Sequence, residues 1–69
     1  MAITGSVHGA TVRALREKMG LSQQRLADRA GLAMLTVSRI ELGKVSASHP
    51  LTVKALADAL GVPADMITR

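Results

Sequence analysis

Few side chains in this chain can do covalent chemistry, and none stand at a spacing that would let them. There is no Cys, which excludes disulfides, thiolate metal sites and cysteine nucleophiles. His8 and His49 are too few and too far apart in sequence to make a zinc site. Neither has a neighbouring acid to turn it into a general base. No paired carboxylates, no Ser/His/acid arrangement and no Gly-rich phosphate loop occur. No enzyme, no cofactor, no metal and no small-molecule substrate is therefore expected. What remains is charge. Nine Lys/Arg against five Asp/Glu give a formal net charge of +4 and a pI near 10.8. That excess suits a polyanionic partner such as nucleic acid, and it equally suits plain solubility.

The elements that must position those charges are short. A length of 69 residues allows one small domain, residues 1–69, and no more. Hydrophobic residues make up 48% of the chain, yet Phe, Tyr and Trp are absent. The core must therefore be built from Ala, Leu, Val, Ile and Met. A domain of this size buries only ~60% of the surface that its unfolded chain exposes, so it has little stability to spare. No apolar run approaches the ~20 residues of a membrane span. The opening MAITGSVHGA lacks the charged start and continuous apolar stretch of a signal peptide. A soluble cytoplasmic protein with no membrane partner is the default expectation.

Glycine and proline punctuate the sequence at Gly20, Gly31, Gly43, Pro50, Gly61 and Pro63. Each intervening segment carries helical rather than alternating periodicity, which predicts five helices. The first runs from about Val7 to Met19, with Val12, Leu15 and Met19 inward and Gly20 as terminator. The second covers about Gln23 to Ala30, N-capped by Ser22, with Leu26, Ala27 and Ala30 inward. The third covers about Ala33 to Leu42, with Val37 and Ile40 inward. The fourth starts at Pro50, a favoured first helical position, and buries Val53, Leu56, Ala57 and Leu60. The fifth is a turn or two from Pro63, carrying Met66 and Ile67. Five short amphipathic helices with tight turns can share one core only as an all-α cluster.

About three residues around Gly31 join the second and third helices. So short a turn forces their axes to cross steeply. Ala27 is small where the two would meet, and Gly31 can adopt positive φ at little cost. Leu26, Ala30, Val37 and Ile40 fill the angle between them. This is the pattern of a helix-turn-helix over about residues 22–42; an ordinary αα-hairpin is the bland alternative. Arg16 and Glu41 each lie at the edge of an inner stripe. An inward-leaning Arg and an inward-leaning Glu are costly apart and tolerable together, so they are expected to form a partly buried, bidentate bridge.

The run LREKMGLSQQRLADRAGLAMLTVSRIELGK resembles the Cro/repressor (Xre-type) helix-turn-helix family, and ALADALGV resembles that family's next segment. The most specific part is L-S-Q-x-x-L-A-x-x-x-G followed, five residues later, by V-S-R-I-E-x-G-K. The similarity covers roughly residues 9–67. It implies a five-helix, lambda-repressor-like DNA-binding domain, commonly dimeric and often a transcriptional repressor, similar to short phage Cro proteins. In that family an Arg–Glu pair at the places of Arg16 and Glu41 ties the first helix to the third.

With Val37 inward, the third helix points Leu35, Ser38, Arg39 and Leu42 outward, with Met34 and Thr36 on the flanks. An α-helix fits the B-DNA major groove with its N-terminal residues at the base edges. Ala33, Met34, Leu35, Ser38 and Arg39 are therefore expected to face bases. Arg39 can grip guanine O6 and N7 or a phosphate. Ala33, Met34 and Leu35 can read only by shape, chiefly against thymine methyl groups. This departs from the family, which usually places polar residues there. Ala33 also departs by supplying no capping side chain, which costs ~1 kcal/mol. Phosphates are expected at Ser22 and Gln23, on the positive end of the second helix, and at Lys44, where backbone N–H groups can join. Ser46 and Ser48 are candidate hydroxyl contacts, more simply read as loop polarity. Arg13, Arg25 and Arg29 are candidates to add field without direct contact, more simply read as solvated surface, and the two His cap or decorate helix starts.

One domain touches only a few base pairs, so a double-stranded operator is expected to bind a homodimer at two half-sites ~34 Å apart. The pairing is expected to be weak in solution and strengthened on DNA. It would use the end of the third helix, the Lys44–His49 loop with Val45, or the last turn with Met66 and Ile67. The alternative is an antitoxin or other protein-interaction module that uses the exposed Met34/Leu35 surface.

Overall fold

The computed structural model describes residues 6–45 and 49–68. Five helices follow in order: α1 Gly9–Lys18, α2 Gln23–Ala30, α3 Met34–Glu41, α4 Pro50–Leu60 and α5 Ala64–Ile67. No strand occurs among the described residues. Ser46 and Ser48 lie outside the described residues.

The helix ends follow from local chemistry. Ser22 begins α2 because its Oγ accepts the Arg25 N–H at 3.0 Å, satisfying one of the donors that a first turn leaves open. Gly31 ends it in the left-handed conformation, φ 70°, and two bonds close the turn: Gly31 N–H to Asp28 O, and Leu32 N–H to Ala27 O at 2.9 Å. The same closure recurs at Gly20, Gly43 and Gly61. At α4, Pro50 occupies the first turn and His49 Nδ1 accepts the Leu51 N–H at 3.2 Å. His8 flanks α1 without capping it through its side chain. Ala33 caps α3 by backbone conformation alone, with no side-chain bond, so the helix starts at Met34, one residue later than expected.

The core is aliphatic throughout. Val12, Leu26, Val37, Val53, Leu56 and Ile67 are its largest fully buried side chains. Burying each of them is worth roughly 1.5–3 kcal/mol relative to exposure. Ala27, Ile40, Ala57, Ala59 and Leu60 complete it, with Leu15, Ala30 and Leu32 packed on its edge. Helix α2 packs against α3 and α4, and α1 lies across α3, α4 and α5. Ala27 is fully buried, as the close packing of α2 against α3 requires. No helix is long and apolar enough to cross a membrane.

Three further placements differ from the sequence reading. Helix α1 begins at Gly9 rather than Val7. Val7 still reaches the core, but from the segment before the helix, where the His8 N–H donates to Ile67 O at 2.7 Å. Met19 is exposed rather than inward: it is the C-cap residue of α1, one position past the last helical residue, Lys18. In α5, Ile67 is wholly buried while Met66 faces outward. Ile67 therefore cannot serve as a contact for a second copy.

Gly9 has a role that periodicity does not reveal. A Cβ at this position would overlap the Ile40 carbonyl oxygen and come within 2.8 Å of the Glu41 oxygen. The start of α1 thus rests directly on the backbone at the end of α3. The positive end of one helix meets the negative end of the other, a favourable arrangement of their dipoles.

Candidate functional site

Three side chains lock α3 to the rest of the molecule. Arg16 Nε donates to Glu41 Oε2 at 2.7 Å and its Nη2 donates to Oε1 at 3.0 Å. Its Nη1 donates to the Leu21 carbonyl at 2.8 Å. One guanidinium therefore joins α1, the turn after it and α3. Gln23, the first residue of α2, donates through Nε2 to Glu41 Oε1 at 3.1 Å. The Glu41 side chain is only 2% exposed and that of Arg16 11%. Burial of charge is tolerated because the pair is bidentate and the remaining valences are used. Among the described residues no buried side-chain nitrogen or oxygen lacks a partner. Hydrogen bonding to Glu41 raises the Arg16 pKa further above its already high ordinary value, against a smaller opposing effect of burial.

The opposite face of α3 is open. Val37, Ile40 and Glu41 point inward. Ala33, Met34, Leu35, Arg39 and Leu42 are exposed, while Thr36 and Ser38 are half-buried. Met34 is 46% and Leu35 55% accessible. Arg39 and Lys44 make no ion pair among the described residues. Other surface charges are partly spent: Arg13 pairs with Glu17 at 3.5 Å and Lys54 with Asp58 at 3.1 Å. These exposed pairs are worth little.

This arrangement has relatives. Residues 12–67 match the Helix-turn-helix family of protein domains. The chain belongs to the Xre-type helix-turn-helix family, whose members are DNA-binding transcriptional regulators. It is 44% identical over 55 residues to the HTH-type transcriptional repressor RghR of Bacillus subtilis (strain 168), covering 80% of this chain and 41% of that one. The chain thus spans about two fifths of the length of the curated relatives it matches. Its fold superposes on the restriction-modification controller protein C.AhdI from Aeromonas hydrophila with a TM-score of 0.80, at 33% identity over 84% of this chain and 86% of that one. The biofilm master regulator SinR, solved in complex with DNA, shares the fold at a TM-score of 0.78 and 24% identity, over 83% of this chain and 90% of that one.

Helix α3 is the second helix of the helix-turn-helix. The structure brings Ala33, Met34, Leu35 and Arg39 to its open face and sets Ser38 at the edge. Ser22 and Gln23 lie at the start of α2, where the backbone N–H groups of Gln23 and Gln24 have no acceptor among the described residues. Lys44 follows α3, but its own N–H is bonded to Arg39 O at 2.9 Å and that of Gly43 to Ile40 O at 3.0 Å. Those two amides are committed to ending the helix and are not available to a phosphate, so Lys44 offers only its side chain. Gln23 is also more constrained than its sequence position suggests, because one amide hydrogen is held by Glu41. Two features escaped the sequence reading. Gly9 gave no periodic signal. Leu51, 72% exposed at the head of α4, is off the inner stripe of its helix and could have been found by that criterion.

Proposed function

We propose that this chain is a sequence-specific regulator of transcription that binds double-stranded DNA through the major groove, a Cro-like repressor acting at a palindromic operator as a homodimer. The observation that carries this reading is the pose of α3, with its inner edge clamped by Arg16 and Glu41 and its outer face unobstructed. Ala33, Met34, Leu35, Ser38 and Arg39 meet the base edges. Ser22 and Gln23 present the positive end of α2 to a phosphate, and the Gln23 amide, already oriented by Glu41, has its oxygen and second hydrogen left to use. Lys44 neutralises a phosphate on the other flank.

The described residues span 31 × 23 × 20 Å and carry one helix-turn-helix. One copy therefore cannot reach two half-sites ~34 Å apart, and a pair is needed. Among the exposed apolar residues outside the base-facing set, Leu42, Val45, Leu51 and Met66 suit such pairing. So small a surface favours a dimer that is weak in solution and strengthened on the operator, in the cytoplasm where the nucleoid lies. Sedimentation at micromolar concentration is expected to show mostly monomer without DNA.

Selection of bound duplexes from a random pool, at stated salt, tests the proposal. A palindromic consensus supports it; binding without any enriched sequence overturns it. The exposure of Met34 and Leu35 favours a second reading, an antitoxin or protein-interaction module. That reading gains if Arg39→Ala and Lys44→Ala leave the biological function untouched.

A further inference from the structure

The open face of α3 begins with three residues, Ala33, Met34 and Leu35, that have no hydrogen-bonding side chain. Met34 and Leu35 are each about half exposed, and the core makes no use of them. Against the edge of an unmethylated C·G pair, such side chains would strip water from the cytosine amine and the guanine acceptors and return no bond, which is unfavourable. One feature of the major-groove edge rewards apolar contact, the methyl group at C5 of a pyrimidine. Thymine carries that methyl group, and 5-methylcytosine carries it at the same place.

We infer that the first turn of α3 reads the C5-methyl group itself, so that cytosine methylation within the operator raises the affinity of this protein for DNA. The inference rests on the DNA-reading function proposed above. Leu35 and Met34 are the specificity-determining residues. They act through methyl burial, so their contribution leaves the salt dependence of binding unchanged, whereas a phosphate contact would alter it.

The test uses the full chain and a duplex selected from a random pool. At each T·A pair of the selected site, thymine is exchanged for deoxyuridine, which lacks only the methyl group. In a second series the same pair becomes C·G or 5-methylcytosine·G. At one or two positions in each half-site, deoxyuridine is expected to weaken binding about fourfold, the ~0.8 kcal/mol of one buried carbon group converted at 1.4 kcal/mol per tenfold. At those positions 5-methylcytosine is expected to bind about fourfold tighter than cytosine. The double variant Met34→Ala and Leu35→Ala, altered only at exposed positions and checked for helicity by circular dichroism, is expected to bring both ratios close to one without changing the salt slope. A selected duplex indifferent to both exchanges overturns the inference and leaves the DNA-reading function standing. So does a methyl response that persists in the double variant. A pool that yields no enriched sequence overturns that function, and this inference with it.

Discussion

Arg16 and Glu41, separated by twenty-five positions in the chain, meet through two parallel N–H···O bonds of 2.7 and 3.0 Å. They stand near the middle of a three-way junction, because the same guanidinium holds the Leu21 carbonyl and the same carboxylate holds Gln23. Removing one partner leaves a charge buried and uncompensated. Arg16→Ala or Glu41→Ala is expected to cost about 3–5 kcal/mol, much of the stability of a domain this small. Urea unfolding followed by circular dichroism is the suitable measurement, since the chain has no aromatic residue to fluoresce. Loss of less than 1 kcal/mol would show the pair to be ornamental.

The pH behaviour of this junction has a definite sign on the arginine side. Its pKa is raised in the folded state, chiefly by the hydrogen bond to Glu41. A raised value contributes stability that is fully present below the unfolded pKa and is lost only as pH rises through the folded one. For an arginine that window lies far into alkali. Stability curves of the wild type and of Arg16→Lys are therefore expected to run parallel from neutral pH to about pH 9, offset by the weaker geometry of lysine, which has no planar fork. Curves that converge within that range would mean that this guanidinium is not what maintains the junction.

Gly9→Ala is expected to destabilise the domain by about 1–3 kcal/mol, the usual range for forcing a methyl group into filled space. The added carbon would meet backbone oxygens of Ile40 and Glu41, which cannot rotate away. Gly31→Ala makes a useful contrast. A Cβ there meets nothing within 4 Å, but φ is +70°, so its cost of about 1–2 kcal/mol is backbone strain alone. Asparagine, which tolerates that conformation, is expected to recover part of the loss at residue 31 and none at residue 9. Equal behaviour of the two sites in urea titrations would contradict this assignment.

Ala33→Ser should act in the other direction. The residue already has the extended conformation of an N-cap, φ −74° and ψ 144°, and lacks only a side-chain acceptor. A hydroxyl there is expected to add about 1 kcal/mol, read as a rise in the urea midpoint at constant slope. An unchanged midpoint would indicate that the first turn of α3 is already satisfied in some other way.

Binding variants separate positioning from reading. Lys44→Ala is expected to weaken all duplexes about equally and to lower the slope of affinity against salt by about one. Arg39→Ala is expected to relax one base position by about 1–3 kcal/mol if it grips guanine. An Arg39→Ala profile with unchanged base preference would assign that residue to a phosphate.

The helices were legible because Gly, Pro and Ser mark their ends and aliphatic residues recur on one face. The Arg16–Glu41 pair was legible for a related reason: each charge sits beside an inner stripe, where only a partner makes it tolerable. What periodicity could not supply was the approach of elements distant in sequence. Gly9 looks like an ordinary residue of the first turn until the carbonyls of α3 are placed beside it. The choice between Met66 and Ile67 was equally hidden, because a four-residue helix has no period from which to choose an inner face. The commitment of the Gly43 and Lys44 amides depends on how α3 ends. That detail is decided by hydrogen bonds, and the residue types alone left those groups nominally free.

Inward and outward positions interleave along the eight residues of α3, and they share almost no duties. Val37, Ile40 and Glu41 keep the molecule folded; Met34, Leu35 and Arg39 contribute little to that task. Under the proposed DNA-reading function, a lineage carrying this scaffold is therefore expected to rewrite its target by changing the outer letters while the inner ones stay fixed. Such changes are expected to alter what the helix reads without unfolding the domain that presents it.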